Sequence, residues 1–226
     1  PLADALAAGN TAILKPSAYS IHTSRLMERL IPAYFPAYRV AVVTGGRAEN
    51  AALLEQHFDY IFFTGSKSVG RFVMEKASAH LTPVTLELGG KSPCIVDRTA
   101  DIPTAARRIV FGKFLNCGQT CVAPDYILCD IRVKNRLIEE LIRQIRAQLG
   151  ERPLENENYG HIINEKHFLR ILNLMNPAKT VFGGRTDAEA LKIEPTILDR
   201  VSWRDDVMQD EIFGPLLPIL TYDSID

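Results

Sequence analysis

Four stretches of this sequence carry residue types able to do chemistry. The first is Asn116-Cys117-Gly118-Gln119-Thr120-Cys121. A Cys-x-x-x-Cys spacing is wrong for a zinc knuckle, and no second Cys/His pair follows closely, which argues against a metal. Cys121 follows a polar, Gly-containing loop between a helix and a strand. Such a loop can expose a thiol and hold it near backbone N–H donors; a buried structural cysteine is the bland alternative. The second stretch is Leu86-Glu87-Leu88-Gly89-Gly90-Lys91, which places a carboxylate at the end of an apolar strand. Glu87 there faces either solvent, paired with Lys91, or a partly desolvated cleft that would suit it to general-base work. The third is Phe63-Thr64-Gly65-Ser66-Lys67-Ser68-Val69-Gly70, which closes a strand and opens a helix. A helix N-terminus with Gly and Ser is a ready site for a pyrophosphate, although the run matches neither Gly-x-Gly-x-x-Gly nor a P-loop, and an ordinary turn is the competing reading. The fourth is Glu211-Ile212-Phe213-Gly214-Pro215. An acid two residues before an aromatic could meet a sugar hydroxyl and a flat ring; otherwise the segment is a turn entering a strand.

The elements that must position these residues alternate in type. Apolar runs at Thr11–Leu14, Val40–Val43, Tyr60–Phe63 and Val84–Leu88 read as buried strands. Between them, helices are expected after Ser20, over Ala48–Gln56 and over Gly70–Ala79. Repeated β-α units with continuous apolar strands imply a parallel sheet covered on both faces, with ligands at the carboxyl ends of its strands. Gly89-Gly90 interrupts the pattern and predicts a boundary between residues 1–88 and 89–226. A second α/β unit follows. Strands are expected at Cys94–Val96, Tyr126–Cys129, Lys179–Phe182, Thr196–Leu198 and Leu217–Leu220, and helices at Asp101–Leu115, Val133–Leu149 and Glu165–Leu174. The Val133–Leu149 helix carries Leu137, Leu141, Ile142, Ile145 and Leu149 along one side and is stopped by Gly150. Arg152–Asn158 is polar and predicts a surface loop.

Whole-chain composition narrows the function classes. The 226 residues carry 26 Lys+Arg against 27 Asp+Glu, a net charge of −1, which makes the chain a poor candidate for non-specific nucleic-acid binding, since that needs a basic face. No apolar run reaches membrane-spanning length, and the opening residues do not read as a signal peptide. Four cysteines are too few for a disulfide scaffold, which points to a reducing, cytoplasmic setting. The chain opens Pro1-Leu2-Ala3 without Met and stops at Asp226 just after an apolar run, so it is expected to be a slice of something longer.

Taken together, the motifs resemble one family. Ile13–Ser17 (ILKPS), Phe63–Gly70 (FTGSKSVG), Leu86–Pro93 (LELGGKSP), Asn116–Leu128 (NCGQTCVAPDYIL) and Glu211–Pro215 (EIFGP) occur in the order found in the aldehyde dehydrogenase superfamily. The Gln-Thr-Cys-Val-Ala-Pro-Asp-Tyr run is similar to its class 3 branch of fatty- and coniferyl-aldehyde dehydrogenases. The resemblance implies an α/β fold: part of a Rossmann-like parallel-sheet cofactor domain over 1–88, joined to part of a thiol-bearing catalytic domain over 89–226. It implies oxidation of small aldehydes to carboxylic acids with NAD or NADP, and a homodimer in the full-length protein. By match to the motifs, Cys121 is the nucleophile that forms a thiohemiacetal and then, after hydride transfer, a thioester. Glu87 matches the base that activates water to hydrolyse it. Lys15 matches a contact to the adenosine ribose, Ser66 a pyrophosphate contact, and Gly65 and Gly70 positions of close backbone approach. Leu88 and Gly89 match backbone neighbours of the nicotinamide, and Glu211 the ligand of the nicotinamide ribose, with Phe213 packed beside it.

Three departures from the family pattern bear on function. Many members carry Glu after Lys-Pro-Ser; here it is Ala18, which removes a repulsion against a 2′-phosphate, so NADP+ is expected to be tolerated or preferred. Cys117 stands four residues before the nucleophile, as a passive small residue or as a redox partner of Cys121. The family's side-chain amide for the oxyanion lies on a Pro-Trp-Asn-type segment, and none occurs between Pro1 and Lys15. The isolated polypeptide is therefore expected to be inactive or impaired. Two other readings compete. One is a relative that passes the acyl group to coenzyme A, against which Glu87 counts. The other is a truncated, inactive paralogue or structural protein, against which Cys121 and Glu87 both count.

Overall fold

A computed structural model describes residues 1–224. The chain divides into two compact units, Pro1–Leu88 and Gly89–Asp226.

The first unit alternates helix and strand: α1 (Leu2–Ala7), β1 (Ala12–Leu14), α2 (Ile21–Tyr34), β2 (Val40–Val42), α3 (Arg47–Leu54), β3 (Ile61–Gly65), α4 (Lys67–Ser78) and β4 (Val84–Leu88). Its strands form two parallel pairs, with Ala12 opposite Val40 in β1–β2 and Ile61 opposite Val84 in β3–β4. β-Branched residues favour these short extended runs. Side chains of β3 alternate between half-buried and exposed, and Ile13 and Phe62 are each 48% exposed. Two local expectations shift. Ser20 precedes α2 but makes no capping hydrogen bond with its side chain. Helix α4 begins at Lys67 rather than Gly70, because Ser66 caps it by accepting from Val69 N at 3.4 Å.

The second unit comprises β5 (Pro93–Val96), α5 (Ile102–Phe114), β6 (Tyr126–Asp130), α6 (Lys134–Leu149), α7 (Glu165–Leu172), β7 (Thr180–Phe182), β8 (Thr186–Asp187), β9 (Lys192–Ile193), β10 (Thr196–Leu198), α8 (Asp206–Gln209) and β11 (Leu216–Tyr222). Five strands make one sheet in the order β5-β6-β11-β10-β7, and only β7 runs antiparallel to its neighbour. The mixed α/β architecture with parallel pairing is that expected from the sequence. Leu137, Leu141 and Ile145 of α6 are fully buried, and Gly150 ends that helix at φ +88°. Each such leucine or isoleucine contributes roughly 1.5–3 kcal/mol by leaving water. The Arg152–Asn158 stretch is more structured than a surface loop: Pro153 starts a 3₁₀ turn and is buried, and Asn156 Nδ2 donates to Leu149 O at 2.9 Å. The β8–β9 ribbon and α8 are too short to leave a periodic signature in sequence, as is α1 in the first unit. Among the described residues no helix is long and apolar enough to cross a membrane.

Candidate active site

Cys121 lies on the loop that leaves α5 and enters β6, and its side chain is exposed. The loop is held at several points. Gln119 Nε2 donates to His161 O at 3.0 Å, and Gln119 Oε1 accepts from Ile163 N at 3.0 Å. Asn116 Nδ2 closes the turn by donating to Gln119 O at 3.1 Å. Cys117 and Gly118 both adopt left-handed backbone, at φ +51° and +75°. At Gly118 the requirement for glycine is absolute in steric terms, because a Cβ would overlap the carbonyl oxygen of Gly214. The thiol-bearing loop therefore rests directly on the Glu211–Pro215 turn.

That turn is anchored by charged groups below it. Asp125, 3% exposed, accepts Lys91 Nζ at 2.6 Å through one oxygen and Ile212 N at 3.1 Å through the other. Lys91 Nζ also donates to Val207 O at 2.8 Å and Asp210 O at 3.0 Å. Arg170 of α7 donates to Ile212 O at 2.6 Å. The residues on either side of Glu211 are thus both fixed. The Glu211 carboxylate lies over the backbone of Gly89, where a Cβ would overlap it. Phe213 follows at φ +47°, an unusual conformation for a bulky residue, costing on the order of 1–3 kcal/mol and sustained by the bonds to Ile212.

Lys113 of α5 is fully buried nearby, its Nζ 3.9 Å from Asp125 and without a hydrogen-bond partner. Burial pushes its pKa down to about 8, with Lys91 adding to the push and Asp125 and Glu211 opposing it. Burial likewise pushes the Cys117 thiol up to about 11. Cys117 is 1% exposed, which fits the passive reading of that residue better than a redox partner.

In the first unit, Lys15 follows β1 and donates from Nζ to Gly45 O at 2.7 Å and Pro16 O at 3.1 Å. The Gly45-Gly46 turn carries Glu49 against it, with Gly46 N donating to Glu49 Oε2 at 2.6 Å. The backbone N–H of Glu49 itself, then that of Gly46, hold the Glu49 carboxyl below the usual carboxylate range, Lys15 assisting. Gly65 ends β3, and Ser66 opens α4 with its hydroxyl 3.1 Å from that of Ser68. Gly70 falls in the first turn of α4, where the side chain of Leu88 fills the space a Cβ would need. This packing accounts for glycine at 70 and leaves the Leu88 backbone at the strand end. Glu87 is exposed on β4, in register with Thr64. Lys91, its possible surface partner, is engaged by Asp125 instead.

The structure thus joins three of the sequence motifs within the second unit: Gly89 to Glu211, and the Cys121 loop to Gly214. Lys15, Ser66 and Glu87 stand at strand ends of the first unit. Sequence reasoning missed Asp125, Lys113 and Arg170. The one available signal was a lysine at 113, amid the apolar residues Ile109, Val110 and Phe114. Among the described residues no group of three or more His, Cys, Asp or Glu is placed to hold a metal ion.

A fold of parallel α/β units, with an exposed thiol on a pinned loop and acids at strand ends, defines the class to which the comparisons lead. The pattern of the aldehyde dehydrogenase family matches residues 1–226, and the chain belongs to that family. It is 49% identical over 226 residues to the "Aldehyde dehydrogenase, dimeric NADP-preferring" of Mus musculus, covering 100% of this chain and 50% of that protein. The solved substrate-bound state of Staphylococcus aureus AldH superimposes with a TM-score of 0.96 at 50% identity, covering 100% of this chain and 50% of that one. The Mycobacterium tuberculosis aldehyde dehydrogenase complexed with NAD+ superimposes with a TM-score of 0.86 at 33% identity, covering 99% of this chain and 48% of that one. The chain therefore spans about half the length of the relatives it matches. NAD+ and NADP+ are the cofactors of such relatives.

Proposed function

We propose that the protein carrying this chain oxidises aldehydes to carboxylic acids with NAD+ or NADP+, and that Cys121 is its nucleophile. The observation that supports this most is the exposed Cys121 thiol on a loop pinned by Gln119 and by the Gly118–Gly214 contact. In this reading residues 1–88 belong to the cofactor domain and residues 89–226 to the catalytic domain.

The residues present fit a dinucleotide. Lys15 offers an ammonium group at the end of β1, beside a double-glycine turn. Ser66 and the first amides of α4 offer donors to a pyrophosphate. The Glu211 carboxylate over the Gly89 backbone offers an acceptor to a ribose hydroxyl, with Phe213 exposed nearby in sequence. Gly65 ends β3 where a Cβ would meet the ring of Phe63. Bound NAD(P)+ supplies the hydride acceptor. The Cys121 thiolate attacks the aldehyde carbon and carries the acyl group as a thioester once that carbon has lost its hydride. Glu87 takes a proton from the water that attacks the thioester carbonyl, releasing the acid and restoring the thiol. The dimeric Mus musculus relative supports a homodimer, and the cysteine usage supports a cytoplasmic setting.

The test is NAD(P)H formation by the full-length protein with a medium-chain or aromatic aldehyde, compared with its Cys121→Ala variant. A loss of roughly 10³-fold or more in kcat with unchanged thermal stability is expected. Equal turnover by the variant would refute the assignment.

A further inference from the structure

We propose that Gln119 is a positioning residue for the Cys121 thiol: its side-chain amide, clamped across the segment Tyr159–Ile163, sets the direction in which the nucleophile leaves its loop. The inference rests on the reading of Cys121 as the nucleophile and adds the residue through which the fold aims it.

The clamp has a geometry that glutamine alone satisfies. Gln119 Nε2 donates to His161 O and Gln119 Oε1 accepts from Ile163 N, each at 3.0 Å. In an extended chain the C=O of one residue and the N–H two residues further on point to the same side. Between them, Ile162 N points the other way and donates to Leu191 O at 2.8 Å. The Gln119 amide therefore takes the place that a peptide group of a neighbouring strand would take. One donor and one acceptor on a single planar group are required, which excludes an ionised Glu, Met and Lys, while Asn is one methylene too short. The segment beneath is firm. Tyr159 and Ile162 are both buried, and the Tyr159 hydroxyl donates to Ile193 O at 2.9 Å. Cys117 packs against the same segment, where a Cβ on Gly160 would stand 3.3 Å from its Sγ.

Gln119 stands where two turns of the thiol loop meet. Gln119 N donates to Asn116 O at 2.9 Å and closes the first; Ala123 N donates to Thr120 O at 3.0 Å and closes the second. Cys121 is the second residue of that second turn, so the direction of its side chain follows from how the turn is rotated. On the far side the turn is held by Ala123 and Asp125, both buried. On the near side the chain has just passed through two left-handed residues, Cys117 and Gly118, a reversal that local preference does not sustain at a cysteine. Gln119 ties this near side to the packed segment. Without its two bonds the loop keeps its contacts at Gly118 and Ala123, and the thiol keeps its exposure but loses its aim. A freely diffusing reagent needs exposure alone. Attack on a carbonyl held beside a cofactor needs direction, and a displacement of about 1 Å costs about 10²-fold.

The experiment uses the full-length protein and its Gln119→Met, Gln119→Glu and Cys121→Ala variants. It measures kcat with an aromatic aldehyde, Kd for NAD+ by fluorescence quenching, and the rate at which iodoacetamide labels Cys121. Gln119→Met is expected to lower kcat about 10²-fold, with Kd and the labelling rate each within about threefold of wild type. Gln119→Glu has the same shape and keeps the bond to Ile163 N, but sets a second acceptor against His161 O; it is expected to lose at least about tenfold in kcat. A kcat for Gln119→Met within about threefold of wild type would overturn the proposal. So would a labelling rate that falls in step with kcat, which would make Gln119 a determinant of loop integrity rather than of direction. If Gln119→Met does not fold, a kcat for Gln119→Glu within about threefold of wild type overturns it. If Cys121→Ala abolishes turnover while both Gln119 variants turn over as wild type does, this inference alone fails. If Cys121→Ala itself turns over as wild type does, the reading of Cys121 fails and the inference falls with it.

Discussion

The two units hold their chemistry in different ways. In the second, one continuous cluster runs from Val96 to Leu220, with Ile127, Leu141, Ile171, Ile197 and Leu217 all fully buried. In the first, the buried apolar residues among those described are Val40, Val73 and Ala77, and both strand pairs show apolar side chains to solvent. The second unit has a five-stranded sheet with helices packed on it, whereas in this chain, which spans about half the length of its relatives, the strands of the first unit lie as two separate pairs. The thiol loop and the Glu211 turn are therefore set on a densely packed base. Lys15, Ser66 and Glu87 stand on strand ends that can shift at low cost. Covalent chemistry needs its nucleophile placed to a fraction of an ångström, while a long dinucleotide can be gathered by several adjustable contacts.

The sharpest way to break this contrast is at the join of the two motifs. Gly118→Ala would drive a methyl group into Gly214 at a left-handed position, and a loss of roughly 3–5 kcal/mol in chemical denaturation is expected. A loss near zero would mean that the loop is not seated on the turn.

Core truncation tests the packing difference directly. Leu141→Ala in α6 should cost about 3 kcal/mol, and Phe62→Ala in β3 less than about 1 kcal/mol, since Phe62 is half exposed. Similar costs for the two would erase the distinction drawn above.

Thiol labelling sharpens it within the second unit. The thiols of Cys117 and Cys129 are each pushed up to about 11 by burial, so at pH 8 well under about 1% of either is thiolate. Iodoacetamide should modify exposed Cys121 at least ~100-fold faster than either in the native protein. Mass spectrometry after peroxide treatment should likewise show no 117–121 disulfide.

The smallest expected effect lies in the first unit. Ala18→Glu restores a carboxylate after Lys15-Pro16-Ser17 and should shift the ratio of kcat/KM toward NAD+ by about tenfold. A wild-type protein already selective for NAD+ would refute the reading of Ala18.

Much of this organisation was legible in the residues, because local signals are strong where elements are long. The face of α6 is written in Leu137, Leu141 and Ile145, and Gly150 marks its end. The five motifs and their order sufficed to place Cys121 and Glu211 at chain segments able to act. The Lys91–Asp125–Lys113 cluster was invisible. Its members are separated by up to 34 residues, and only the sheet brings them together. Lys91 read as a surface lysine beside Glu87, yet its ammonium group makes three bonds inside the second unit.

The place of β11 in its sheet has a consequence for synthesis. β11 pairs with β6 on one side and β10 on the other, so residues 216–222 are the bridge between the two halves of the sheet. A ribosome delivers them after β5, β6, β7 and β10. Until they emerge, β5–β6 and β10–β7 can form only as separate ribbons, each with an apolar edge open to the wrong partner. The nascent unit thus passes through a stage in which its thiol loop is made and its scaffold is not. A holding chaperone, or a pause in translation just after Tyr222 has cleared the exit tunnel, would act at that stage.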